Sequence, residues 1–145
     1  MWQRIQTLYL AISTLLIASL LMCNVATVIE PGEVREHVKY YENIVYLIFI
    51  ITIISGNGFT LFSYKSRIMQ MRLSILEAII MTAFQIWIGV DFFRMRHDPA
   101  FIFSFTAIFP LIAAILNVMA ARRIAFDEAM VQSAYRLRDS KGRKR

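Results

Sequence analysis

The chain has a single cysteine, Cys23, so no intrachain disulfide can form. It has two histidines, His37 and His97, and both fall in polar connectors between apolar blocks. That placement excludes a haem held by two histidines inside a membrane. No Cys/His pattern with metal spacing occurs, and there is no HExxH motif and no phosphate-cradling glycine loop. No metal, cofactor or catalytic residue is therefore expected, and an enzyme is the least favoured class. Among the charged residues acids are the scarcer, 10 against 16 Lys and Arg, which gives a formal net charge of +6.

Apolar residues are what the chain has in excess. They make up 58% of the sequence, above the roughly 45–50% of a soluble domain, and they are gathered into blocks. Four blocks stand out, at about residues 5–29, 44–64, 73–93 and 100–121. Each is long enough to cross about 30 Å of hydrocarbon as a helix. The first has no clean small-x-small site, so it is expected to remain as a helix. A polar connector fills residues 30–43, with Pro31-Gly32 as a turn signal. Ser74 and Glu77 have the spacing of a capping box at the start of the third block. Pro99 suits the first turn of the fourth helix, and Pro110 would kink it.

The basic residues fix the expected orientation. With both termini on the cytoplasmic side, only Arg35, Lys39, Arg94 and Arg96 lie outside. Short loops are the regime in which the positive-inside rule works. The expected fold is an all-α membrane protein, with four transmembrane helices in an antiparallel bundle over residues 1–121. Its fourth helix is extended into the cytoplasm over 122–138, and 139–145 form a basic disordered tail. The basic residues flank apolar blocks, so anionic lipid headgroups are the expected neighbours and no nucleic acid is expected. Stripes of small or weakly polar residues are expected to face inward: Thr7, Ala11, Thr14 and Ala18 in the first helix, Thr52, Gly56, Thr60 and Ser63 in the second, Ser74, Ala78, Thr82, Gln85 and Gly89 in the third, and Ala107, Pro110, Ala114, Asn117 and Ala121 in the fourth.

Two groups of residues are candidates for function. Asn57, Glu77 and Asn117 form a polar layer expected within about 10 Å of the inner interface. Together they can make a small cation or proton site, or simply hydrogen bonds between helices. Beyond the last block, Arg122, Arg123, Phe126, Asp127, Glu128, Met130 and Leu137 offer a surface for a partner or for lipid. Arg4 is expected to pair with Asp127 or Glu128.

The opening run from Trp2 to Leu10 (WQRIQTLYL) and the closing run from Arg122 to Arg138 (RRIAFDEAMVQSAYRLR) resemble a bacterial membrane-protein family, domain of unknown function 4293. The four-block layout between them agrees. The resemblance implies a small inner-membrane protein of four helices and carries over no activity and no site residues. The expected function is an accessory or scaffold subunit that docks a membrane-protein partner through its C-terminal helix. The alternative is a small oligomeric transporter or channel that works through the polar layer.

Overall fold

A computed structural model describes residues 3–29, 35–63, 66–95 and 101–142. The chain runs α1 (Gln3–Leu20), β1 (Asn24–Ile29), β2 (Arg35–Lys39), α2 (Ile44–Phe62), α3 (Arg67–Met95), β3 (Phe101–Phe103), a 3-10 turn (Phe105–Ile108) and α4 (Phe109–Gly142). Each helix packs on its neighbour in sequence, and α4 returns to α1, which closes the set. Among the described residues three helical segments are long and apolar enough to cross a membrane: Ile44–Phe62, Arg67–Met95 and Phe105–Arg136. Only 28% to 33% of each span is buried inside the protein, so most of their apolar surface faces outward. At 18 residues α1 is shorter, about 27 Å at roughly 1.5 Å per residue.

The all-α expectation is corrected by a three-stranded antiparallel sheet of order β2-β1-β3. The first apolar block does not continue as a helix to residue 29. The helix ends at Leu20, and Asn24–Ile29 turns into a strand. Val25, Thr27, Val28 and Ile29 are β-branched residues that suit a pleated surface better than a helix. Arg35–Lys39, within what reads as a polar connector, pairs with it from Ile29↔Arg35 to Asn24↔Lys39. A register shift between Asn24 and Ala26 breaks the strict alternation of faces. Val25 and Ala26 are consequently both buried. On the other side, Val28 pairs with Phe101 and Ala26 with Phe103.

The fourth block also divides. Its first residues are β3 and the 3-10 turn, so Pro110 lies in the first turn of α4, where its missing N–H is no loss, and not in mid-helix. Pro99 lies outside the described residues. The third helix begins at Arg67, so Ser74 and Glu77 sit well inside it and form no capping box. Residues 139–142, expected to be disordered, continue α4 as helix.

The sheet covers the end of the helices where α1 and α3 finish and α2 and α4 begin. Its core contacts are aromatic. Tyr40 is fully buried, 5.9 Å from the Tyr46 ring, and Tyr46 meets Phe84 edge-on at 5.8 Å. The Tyr40 hydroxyl lies 3.4 Å from Thr106 Oγ1, which donates to the Asn24 carbonyl at 3.0 Å. Burial pushes the Tyr40 hydroxyl above its ordinary pKa, against the Thr106 hydrogen bond. Ser104 N–H donates to the Val25 carbonyl at 2.8 Å and so holds the chain entering α4 on β1.

The inward stripes are displaced by one position in α1 and, for the most part, in α2. The buried face of α1 is Gln6, Leu10, Ser13, Ile17 and Leu20. That of α2 is Tyr46, Ile50, Ile53, Asn57 and Thr60. Thr14, Thr52 and Thr82 return their hydroxyls to the carbonyls of Leu10, Ile48 and Ala78 on their own helices. A hydroxyl satisfied in this way needs no partner helix and is tolerated away from the core. In α4 the small-residue expectation holds better, with Pro110, Ala114, Asn117 and Ala121 all buried.

Tyr40 joins the sheet to the helices. Tyr40→Ala should cost about 3–5 kcal/mol, as for other buried aromatics, and Tyr40→Phe at most about 1 kcal/mol for one long hydrogen bond. Denaturant unfolding in detergent reads both. Equal losses would show that the hydroxyl, and not the ring, carries the contact.

Candidate functional site: a polar layer inside the helices

Four helices each contribute polar side chains to the interior. Helical spacing on the buried faces puts Ser13 between Leu10 and Ile17, Asn57 between Ile53 and Thr60, and Asn117 between Ala114 and Ala121. On α3, Ser74, Glu77 and Ala78 share the inner face with Met81 and Phe84. Apolar residues bound the layer on both sides. Ile17, Ile50, Ile53, Phe84 and Ala113 lie toward the sheet, and Ala120, Ala121 and Ile124 lie toward the far end of α4.

A chain of hydrogen bonds crosses this layer. Asn117 Nδ2 donates to Asn57 Oδ1 at 2.9 Å, and Asn57 Nδ2 donates to Ser13 Oγ at 3.4 Å. The Ser13 hydroxyl lies 3.3 Å from the Ala113 carbonyl and 3.9 Å from Met81 Sδ. The chain thus ties α4 to α2, α2 to α1, and α1 back to α4.

Glu77 completes the layer from α3. It is 3% exposed, and its carboxyl lies against the backbone of Gly56, the residue beside Asn57. A methyl group at position 56 would fall on that carboxyl, so the glycine is what admits it. Oε2 of Glu77, Oγ of Ser74 and Oδ1 of Asn117 are buried with no hydrogen-bond partner. Asn57 and Asn117 are thus joined directly, and the Glu77 carboxyl lies against Gly56, next to Asn57 in the chain. Glu77 lies about 15 Å along α3 from Arg67, not one turn from the helix start. Ser13, Ser74 and Gly56 belong to the same layer, and Ser13 is the member that the sequence least reveals. Its neighbour Thr14 fits the small-residue stripe equally well, and only the Leu10, Ser13, Ile17 spacing separates them. Gln85 Oε1 is also buried and unpartnered. Asp91 is held by the Tyr46 hydroxyl, which donates to its Oδ2 at 2.6 Å.

Farther along α4 the Gln6 side-chain amide donates to Asp127 Oδ2. The start of α1 and this part of α4 are therefore in contact through Gln6. The Arg4 side chain lies outside the described residues. Glu128 accepts from Gln132 Nε2 one turn on. Arg122 and Arg123 are exposed, while Phe126 and Met130 are 60% and 59% exposed. Every side chain from 129 to 136 is exposed, and the Leu137 side chain lies outside the described residues. Among the described residues no group of His, Cys, Asp and Glu could hold a metal through three or more such ligands.

These features define a helical protein with an apolar exterior compatible with a membrane and a polar interior layer. The chain belongs to the family described as domain of unknown function 4293, whose model matches residues 2–137. No curated protein and no solved structure matches the chain.

A double-mutant cycle on Asn57→Ala and Asn117→Ala should give a coupling of about 0.6 kcal/mol, and up to about 1.7, the range for such bonds inside membrane proteins. Unfolding in detergent measures it. Losses that add to within about 0.3 kcal/mol would mean that the two amides act independently.

Proposed function

We propose that the four helices cross the bacterial inner membrane as an antiparallel bundle, and that the protein is an accessory subunit. In this reading it docks a membrane-protein partner through the part of α4 that leaves the bundle. Placing the sheet outside and both termini in the cytoplasm leaves Arg35, Lys39, Arg94 and Arg96 as the only basic residues outside. The length of α1, about 27 Å, suffices for a span of roughly 30 Å that ends in interfacial residues.

The observation that carries the docking reading is the projecting half of α4. Its packing against α1 ends near Ile124 and Asp127, yet the helix continues to Gly142. Isolated helices of this length are marginal in water, because most helical stability in proteins comes from packing. Phe126, Met130, Val131 and Tyr135 offer apolar surface for such packing. The basic residues around them suit anionic headgroups at the membrane surface.

A second reading is a small oligomeric transporter or channel working through the polar layer. The unpartnered Glu77 oxygen inside the helices favours it, and ion flux into proteoliposomes is its test.

For the docking reading, affinity purification of the full-length protein in gentle detergent should recover a larger membrane protein in stoichiometric amount. Phe126→Asp together with Met130→Asp should abolish that recovery while leaving bundle stability within about 0.5 kcal/mol, because both positions are exposed. Recovery of the chain alone, or a partner retained by the double variant, would contradict the docking reading.

A further inference from the structure

We propose that the interior layer binds a small monovalent cation of the sodium type. The Glu77 carboxylate supplies the counter-charge, and the Ser74 hydroxyl and Asn117 side-chain carbonyl supply neutral oxygen ligands.

Three observations lead there. First, Glu77 is the single charged side chain among the buried described residues, and no Lys, Arg or His is buried with it. A buried carboxylate without a compensating charge is costly. Second, the buried atoms that lack partners in this layer are all oxygens: Glu77 Oε2, Ser74 Oγ and Asn117 Oδ1. Ser74 and Glu77 are three residues apart on one helical face. Asn117 is bonded to Asn57, which adjoins the Gly56 backbone that the Glu77 carboxyl touches. Third, the two nearby side-chain amide nitrogens each donate a hydrogen bond away from these oxygens. Asn117 Nδ2 is directed to Asn57, and Asn57 Nδ2 to Ser13.

A proton on Glu77 would neutralise the carboxyl and, with the Ser74 hydroxyl as a second donor, supply hydrogen bonds one at a time. A hard cation draws several oxygens at once, charged and neutral together. One carboxylate balances one positive charge, whereas divalent sites of this kind generally recruit several acids. Among the described residues no second acid joins Glu77 in a metal-ligating group. Gly56 allows the carboxylate to sit beside α2 and face the layer shared by the helices.

The proposal uses the polar layer of the second functional reading but requires no transport. Its test therefore reads binding alone, in detergent, with the purified full-length protein. Melting temperature is followed as sodium chloride replaces N-methylglucamine chloride at constant ionic strength. A saturable rise with sodium is expected, since a ligand that binds only the folded state stabilises it. Glu77→Gln should remove the sodium dependence. Ser74→Ala, which keeps the carboxylate and should fold if Glu77→Gln does not, should raise the sodium midpoint roughly fivefold, the equivalent of a contact of about 1 kcal/mol. A wild-type melting temperature that is the same in both salts would overturn the site. So would a sodium response unchanged in Glu77→Gln or in Ser74→Ala. Sodium-dependent stabilisation without flux in proteoliposomes would support the site and count only against transport.

Discussion

Polar groups shielded from water must find their partners inside the protein, and that constraint orders this structure from one end to the other. Backbone groups meet it along the four helices by bonding within each helix. Outward-facing threonines meet it by returning hydroxyls to their own helix, as Thr14, Thr52 and Thr82 do. In the interior the amides of Asn57 and Asn117 meet it by bonding to each other and to Ser13 across three helices. The sheet is open, with β2 and β3 at its edges among the described residues, and an open sheet edge does not lie in hydrocarbon. In the proposed membrane arrangement the sheet therefore lies at the outer surface, and it sets the outer ends of the spans.

The same constraint accounts for how the two ends of the helices differ. At the sheet end, Val25, Ala26, Tyr40, Tyr46 and Phe84 build an apolar floor with few polar atoms to satisfy. Toward the other end, Ser13, Asn57, Ser74, Glu77 and Asn117 make a polar layer in which some oxygens stay unpartnered. Beyond it, Gln6 and Asp127 close the contact between α1 and α4. On the projecting part of α4 every described side chain from 129 to 136 is exposed, which leads to the proposed docking role.

The four apolar blocks and the helical continuation past Ala121 were legible because period and length alone report them. Asn57, Glu77 and Asn117 were legible because polar side chains stand out inside apolar blocks. The sheet was hidden by its own composition. Val25-Ala26-Thr27-Val28-Ile29 reads as the end of an apolar helix, and only its pairing with Arg35–Lys39 makes it a strand. Ser13 was hidden because serine and threonine look alike in a stripe, although one hydroxyl crosses between helices and the other returns to its own. Gly56 was visible as a member of a small-residue stripe. That it makes room for Glu77 depends on the register of α2 against α3, which no local pattern carries.

The membrane arrangement is the claim on which the docking surface and the polar layer both take their meaning. It places His37, exposed on β2, and Ser133, exposed on the projecting helix, on opposite sides. The most direct measurement is labelling by a membrane-impermeant thiol reagent in intact spheroplasts. The variants are His37→Cys and Ser133→Cys, each made in a Cys23→Ser background. The account predicts immediate labelling at position 37 and labelling at position 133 only after permeabilisation. Equal labelling at both positions without permeabilisation, or the reverse order, would contradict it.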